Sequence, residues 1–417
     1  MLHTLRAIAS LLAGVALLLL GSGLLNTLIP LRGSTAGFSD ALLGGLTSAY
    51  FAGFFLGTFV APSLIRRIGH IRAFAFYAVC CACVALLHAL GDQAWFWLLL
   101  RLAFGTALVG LYTVIESWLN AQAGPQARGR MFALYMVVNL GALALAQLLL
   151  QFEGGPGFVL FVAVALLVCA ATMPVLLTRQ TQPQLHPAPR LQLRRLVAAA
   201  PIAGVGALVS GLAMGAFWGL LPVYFGRQGY DAGAVGTFMC AAIVGGAALQ
   251  WPLGRLSDRH DRRLVISLTC AAAALLALAL PMAGAPVATV YALVFLYGGM
   301  AFSTYPIVVA HLLDHLPPED LLAASSSVLL LNGIGAALGP LLAGALMATL
   351  APAALFGWFA ALQGALALYA GWRYHAYRRA PAMAPQFHPM LRTSPASLEL
   401  IASEPGEISN TDPDSAR

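Results

Sequence analysis

Residues 8–31 read Ile-Ala-Ser-Leu-Leu-Ala-Gly-Val-Ala-Leu-Leu-Leu-Leu-Gly-Ser-Gly-Leu-Leu-Asn-Thr-Leu-Ile-Pro-Leu, with no charged side chain from end to end. Coiled as an α-helix at about 1.5 Å per residue, a run of this length crosses the ~30 Å hydrocarbon core of a bilayer. A membrane strand would be roughly half as long and would alternate apolar with polar residues. Arg6 ahead of the run gives it the look of a signal peptide. The run is too long for one, however, and no small-residue cleavage site leads into a soluble domain.

Eleven further apolar runs of membrane-spanning length follow, eight of them also without a charged side chain: Ala41 to Ile65, Ile71 to Leu90, Trp95 to Asn120, Met131 to Gln151, Phe158 to Leu177, Ala198 to Phe225, Ala232 to Leu253, Leu264 to Met282, Val287 to Leu313, Leu321 to Leu350 and Ala354 to Tyr374. Composition agrees: 60% of the chain is hydrophobic and only 9% charged, whereas soluble domains carry about a quarter charged residues. An all-α membrane protein of twelve transmembrane helices is therefore expected. All 22 basic residues are arginines. Without lysine the chain holds neither a Walker-type phosphate loop nor a Schiff-base lysine, which argues against ATP-driven pumping by this chain alone.

The net charge of +7 does not mark a nucleic-acid surface, because the arginines form no patch but alternate between loops. Arg66, Arg67, Arg128, Arg130, Arg255, Arg259, Arg262, Arg263 and Arg373 fall on one side of the twelve-span reading, and only Arg32 and Arg227 on the other. By the positive-inside rule the arginine-rich side, with both termini and the central linker, is cytoplasmic. The six cysteines lie inside apolar runs without disulfide or metal spacing and read as small packing residues. No metal or other cofactor is expected.

The chain also repeats itself. Leu28-Ile29-Pro30 recurs as Leu220-Leu221-Pro222, Gly53 as Gly245, Gly105 as Gly298, Tyr112 as Tyr305 and Asn139 as Asn332, at an offset of 192 or 193 (222 − 30 and 332 − 139). Six spans is an even number, so the two halves are parallel copies. This divides the chain into a first six-helix bundle (1–177), a Pro- and Arg-bearing linker (178–197), a second bundle (198–378) and a Pro/Ser-rich acidic tail (379–417) expected to be disordered.

The loop after the eighth span, Gly254-Arg255-Leu256-Ser257-Asp258-Arg259-His260-Asp261-Arg262-Arg263, resembles the cytoplasmic signature loop of the major facilitator superfamily, with Asp261 where the family usually has Gly. The first-half copy, Pro62 to Arg72, departs further, with Pro62 for the first Gly and Arg66 for the Asp. Asn26-Thr27-Leu28-Ile29-Pro30, Glu116-Ser117, Arg128-Gly129-Arg130, Ser303-Thr304-Tyr305-Pro306 and Gly339-Pro340 resemble the YcaD-like group of bacterial members. The resemblance covers about residues 5 to 378 and implies two parallel six-helix bundles, alternating access, and a central cavity lined mainly by spans one, four, seven and ten. It also implies a bacterial inner-membrane protein. A monomer in the bilayer, acting on a small solute and protons and with no nucleic-acid partner, is expected.

Span four is the most informative helix. Arg101, Gly105, Leu108, Tyr112 and Glu116 are spaced by 4, 3, 4 and 4 residues, which at about 100° per residue makes one narrow stripe. Intramembrane charge faces protein or water, so the stripe should face the cavity. Arg101-x-x-x-Gly105 resembles a span-four motif of proton-coupled drug exporters, with Phe104 and Ala107 departing from it. Arg101 would take an anionic solute group or a backbone carbonyl; snorkelling toward the outer interface is the alternative. Glu116, about 22 Å further along, is read as a gating partner of Arg66, Arg67, Arg128 or Arg130, with proton carriage as the alternative. Asp258, Arg262, Arg263 and Asp314 would form the second-half latch, Asp258 gaining from a nearby helix N-terminus.

Asn26, Asn139, Trp218, Tyr305 and Asn332 complete the expected cavity set with Arg101 and Tyr112. Trp218 and Tyr305 are the repeat mates of Asn26 and Tyr112, and the two remaining asparagines either bind solute or bond across helices. His311-x-x-Asp314-His315 reads as interfacial rather than metal-binding. Gly333-x-Gly335-x-x-x-Gly339 permits close helix packing. Convergent catalytic groups are missing from the mid-membrane positions, so an enzyme is not expected. The leading reading is secondary transport, by preference proton-coupled export. An importer or facilitator is the alternative, and a non-transporting sensor belongs to a third class.

Overall fold

The computed structural model describes residues 2–122, 128–154, 157–176, 200–281, 286–316 and 321–376; the central linker and the tail lie outside them. Twelve membrane-length helices follow one another and no strand occurs among the described residues. They are α1 (Leu2–Thr35), α2 (Asp40–Ile68), α3 (His70–Leu87), α4 (Ala94–Gln122), α5 (Arg128–Leu148), α6 (Val159–Leu176), α7 (Pro201–Arg227), α8 (Ala232–Arg259), α9 (Arg262–Ala279), α10 (Val287–Leu313), α11 (Leu321–Thr349) and α12 (Ala354–Ala376).

Several helices run past their apolar segments. α1 starts at Leu2 rather than Ile8, and α8 continues to Arg259. An apolar run reports membrane thickness, whereas a helix stops where its backbone is capped. Ser39 Oγ accepts from the Leu42 amide at the start of α2, Asp231 Oδ1 from Ala234 at the start of α8, and Asp261 Oδ1 from Arg263 at the start of α9. Between α2 and α3, Gly69 turns the chain at φ 83°, a left-handed conformation that side chains resist. The equivalent Asp261 has φ −56°. It therefore needs no glycine, and its carboxylate serves as the cap, which accounts for the departure from the signature pattern.

Lipid tails give no hydrophobic reason for helices to associate, so contacts rest on close packing at small residues. A Cβ on Gly53 would strike the Leu102 carbonyl, and one on Gly105 the Tyr50 carbonyl. The α2–α4 crossing is thus set by backbone against backbone. The second half repeats it as α8–α10, with Gly245 against Phe295 and Gly298 against Ala242. The sequence repeat is a repeat of this packing. Gly335 and Gly339 approach the Leu208 and Leu212 carbonyls of α7 in the same way. Gly53→Val should force α2 and α4 apart and abolish a monodisperse peak in size-exclusion chromatography, whereas Gly141→Ala, with open space around it, should leave that peak unchanged.

The two halves meet through α2 against α11, α5 against α8, and α7 against α1 and α2. Several of these contacts lie toward the Arg32 and Arg227 side. Gly44 abuts Pro340, Gly344 abuts the Asp40 carbonyl, and Gly236 abuts that of Gln147. Arg227 Nη1 bonds Asp40 Oδ2 at 2.7 Å across the halves, and its Nη2 donates to the Phe38 carbonyl at 3.4 Å. Within the first half, Arg32 pairs with Glu153 at 2.9 Å; burial raises the Glu153 carboxyl and the Arg32 charge opposes that rise.

Candidate functional site

The two halves together line a cavity of about 160 Å³. Asn26, Arg101, Tyr112, Asn139, Trp218, Tyr305 and Asn332 all line it, because the repeat places equivalent helices opposite one another. The cavity is wider in origin than spans one, four, seven and ten. α2 contributes Thr47, Tyr50, Phe51 and Phe54, α5 contributes Asn139 and Leu143, and α11 contributes Asn332. Of the aromatic residues of α7 and α10, Trp218, Phe302 and Tyr305 reach the cavity. Phe217 and Tyr297 pack on one another in the second half, and Tyr224 packs on Phe356.

Arg101 is 2% exposed and does not snorkel. Its Nη2 donates to Asn26 Oδ1 at 2.9 Å, and its guanidinium carbon stands 4.5 Å from the centre of the Tyr50 ring. Nε and Nη1 find no acceptor. Arg101 is the only charged residue lining the cavity among the described residues. Leu108 and Tyr112 share its lining face, while Gly105 faces α2 instead.

The two asparagines of the repeat have different partners. Asn332 Nδ2 donates across to the Ala207 carbonyl of α7 at 3.0 Å, so it ties two helices together. Asn139 Nδ2 donates to the Tyr135 carbonyl one turn away, and its Oδ1 is buried without a donor.

Glu116, fully buried, accepts from the Tyr135 hydroxyl at 3.1 Å. The expected pairing with Arg66, Arg67 or Arg130 is not formed. All three arginines are exposed and make no ion pair with a described residue. Long cations at helix ends reach water at less cost than they would reach a buried carboxylate. The side chain of Arg128 lies outside the described residues.

In the second half, Arg262 bonds Asp314 at 2.6 Å and Asp258 at 3.0 Å, and also donates to Ser257 Oγ at 3.0 Å. One buried guanidinium therefore links α8, α9 and α10. Asp258 sits in the last turn of α8, not at a helix N-terminus; Asp261 holds that place. Arg263 pairs with Asp261 at 2.6 Å instead of joining the Arg262 cluster, and its Nη1 reaches the Arg373 carbonyl of α12 at 3.4 Å. Gly254 is buried, and Arg259 is exposed at the end of α8. Burial raises the Asp314 carboxyl above its ordinary range, with Arg262 opposing. For Asp261 burial also acts upward, but the Arg263 hydrogen bonds and charge outweigh it and the carboxyl ends below its ordinary range. His315 Nδ1 contacts the His311 carbonyl at 2.8 Å, so the histidine–aspartate run is bound up in local and Arg262 contacts.

Sequence reasoning missed the α2 wall and the Arg227–Asp40 pair. Tyr50 and Phe54 look like any other apolar residues of a span. Asp40 and Arg227 are 187 positions apart, and each alone reads as an ordinary interfacial charge.

A family model described as Major Facilitator Superfamily matches residues 11–298 and 203–405. An uncharacterized MFS-type transporter of Enterobacter sp. (strain 638) is 31% identical over 353 residues, covering 82% of this chain and 89% of that protein. The uncharacterized MFS-type transporter YcaD of Salmonella heidelberg is 31% identical over 352 residues with the same coverage. Among solved structures, the nucleoside transporter NupG matches with a TM-score of 0.73 at 15% identity, over 91% of this chain and 100% of that one. An inward-facing, occupied bacterial homolog of the human lysosomal transporter Spinster matches at 0.70 and 16%, over 90% and 98%. The D-xylose-proton symporter matches at 0.64 and 15%, over 87% and 96%. At such identities the structural likeness speaks for the fold alone. Together with the family model and the 31% identical relatives, the twelve spans and the cavity between two repeated halves place this chain in the major facilitator superfamily, a family of membrane transporters and not of enzymes.

Proposed function

We propose that this protein is a bacterial inner-membrane exporter that releases a small amphipathic solute in exchange for protons, by alternating access to the cavity around Arg101. The observation that carries the reading is that cavity. Both halves build it, the Arg32 and Arg227 side closes it, and one buried cation stands in its wall. A site of this kind can pass from one face of the membrane to the other when the halves rock about it. The arginine distribution supports a cytoplasmic placement of the linker and both ends, which makes the sealed side the outer one. On that orientation the contacts on the Arg32 and Arg227 side support an inward-facing conformation, a state also named for the Spinster homolog. The Arg101-x-x-x-Gly105 motif, which resembles that of proton-coupled exporters, supports the direction and the coupling.

Glu116 is assigned the conformational part. Its carboxylate sits past the cavity floor and holds α4 to α5 through Tyr135. Glu116→Gln should shift the balance between inward- and outward-open states while leaving the pH dependence of flux intact. A flux that loses its pH dependence in this variant makes Glu116 the proton carrier instead.

Two experiments test the reading. Reporter fusions at Gln184 and after Arg379 should be active in the cytoplasm, and those at Ser34 and Gln228 outside; a periplasmic signal at Gln184 contradicts the twelve-span orientation. A deletion strain grown against a panel of metabolites and toxic amphipaths should be hypersensitive to at least one compound and regain resistance on overproduction. Hypersensitivity that appears only on overproduction would mean import.

A further inference from the structure

The Arg101 guanidinium is buried in a wall where low dielectric makes an isolated charge costly unless it is paired. Its protein contacts are one neutral amide oxygen, on Asn26, and the faces of Tyr50 and Phe104. Nε and Nη1 have no acceptor, and no carboxylate lines the cavity among the described residues to supply one. A solute anion would provide both the missing acceptor and the countercharge. Planar guanidinium suits a planar carboxylate, which it can meet with two parallel N–H bonds.

The rest of the cavity limits what is attached to that carboxylate. Tyr50, Phe54, Trp218 and Phe302 present rings to the same space, and ring faces and edges favour another ring. The cavity volume of about 160 Å³ is close to that of an engineered apolar cavity of about 150 Å³ that holds one benzene. Away from Arg101 the lining offers no second cation. It offers instead Asn139 Oδ1, a buried acceptor without a donor, and Ser210 Oγ, also buried and unpartnered. A second anionic group would meet no countercharge there: Asn139 Oδ1 can only accept, and the Ser210 hydroxyl can donate one neutral hydrogen bond.

Resting on the transport reading above, we infer that the solute is a monoanionic carboxylate carrying a single aromatic ring, held by its carboxylate on Arg101 and by its ring between the α2 and α7–α10 aromatics. Arg101 is then a specificity residue as well as an anchor, because the charge of the solute decides whether the guanidinium is compensated.

The test is binding to the purified full-length protein in detergent, read as the shift of the thermal unfolding midpoint with benzoate, benzamide, benzylammonium, acetate and terephthalate as probes. It requires no flux, so its outcome is separate from that of the transport reading. Benzoate should raise the midpoint, and benzamide, acetate and terephthalate should need concentrations about tenfold higher or more for the same shift, the size of effect one charge-assisted pair gives. Benzylammonium should give no shift. In Arg101→Gln, benzoate should fall to the level of benzamide while the weak benzamide shift persists. Equal or stronger shifts with benzamide, benzylammonium or terephthalate in the wild-type protein would overturn the inference, as would a wild-type protein that no single-ring carboxylate stabilises. The wild-type series decides the matter even if the variant does not fold.

Discussion

Arg101→Ala should lower solute affinity by about ten- to hundredfold, the range expected for losing hydrogen bonds to a charged group in a buried site. The same substitution should leave the unfolding midpoint unchanged or slightly raised. Removing a buried cation whose protein partners are one amide and ring faces relieves a desolvation cost instead of breaking an ion pair. This split between function and stability separates an anchoring role from a structural one. Titration of solute binding alongside differential scanning fluorimetry measures both. A large fall in stability with unchanged affinity would make Arg101 a structural residue.

The second large effect is expected at the contact between Asp40, 4% exposed, and its partner Arg227, 32% exposed, which forms the outer seal on the proposed orientation. Asp40→Ala removes the buried member and leaves an arginine that water can solvate. The seal then loses an interaction on the order of 2 kcal/mol, and the outward-open population should rise by about thirtyfold. Arg227→Ala should open the seal too, but at a cost in stability, because it leaves a buried carboxylate unpaired. The reporter is Thr47→Cys in a background lacking the six native cysteines, probed from outside with a membrane-impermeant thiol reagent. Thr47 lines the cavity and its position meets Gly219 of α7 when the seal is closed. Labelling should accelerate in both variants. Unchanged labelling in both would show that the glycine contacts between α2 and α11 hold the seal without the ion pair.

The fold was legible because its causes are one-dimensional. Charge-free runs such as residues 8–31 mark spans. The offset between Tyr112 and Tyr305, or Asn139 and Asn332, carries the repeat, and the repeat is what brought the expected cavity residues into one place. Helix ends were less legible. α8 runs through the signature loop to Arg259, so that Asp261, not Asp258, meets a helix N-terminus. The polar marks of the cavity could be read from sequence, since an arginine or asparagine inside a span has few other reasons to be there. Its apolar wall could not, since Tyr50 and Phe54 differ from lipid-facing aromatics only in direction. Pairs joined by the closing of two halves, such as Asp40 and Arg227, depend on a conformation and leave no local pattern.

Flux of the compound identified by the growth screen into acid-lumen proteoliposomes tests the central claim most directly. The account predicts accumulation against the concentration gradient when the pH gradient is imposed, collapse of that accumulation with a protonophore, and its loss in Arg101→Ala. Uptake that ignores the pH gradient and proceeds equally in wild type and Arg101→Ala would contradict both the coupling and the site.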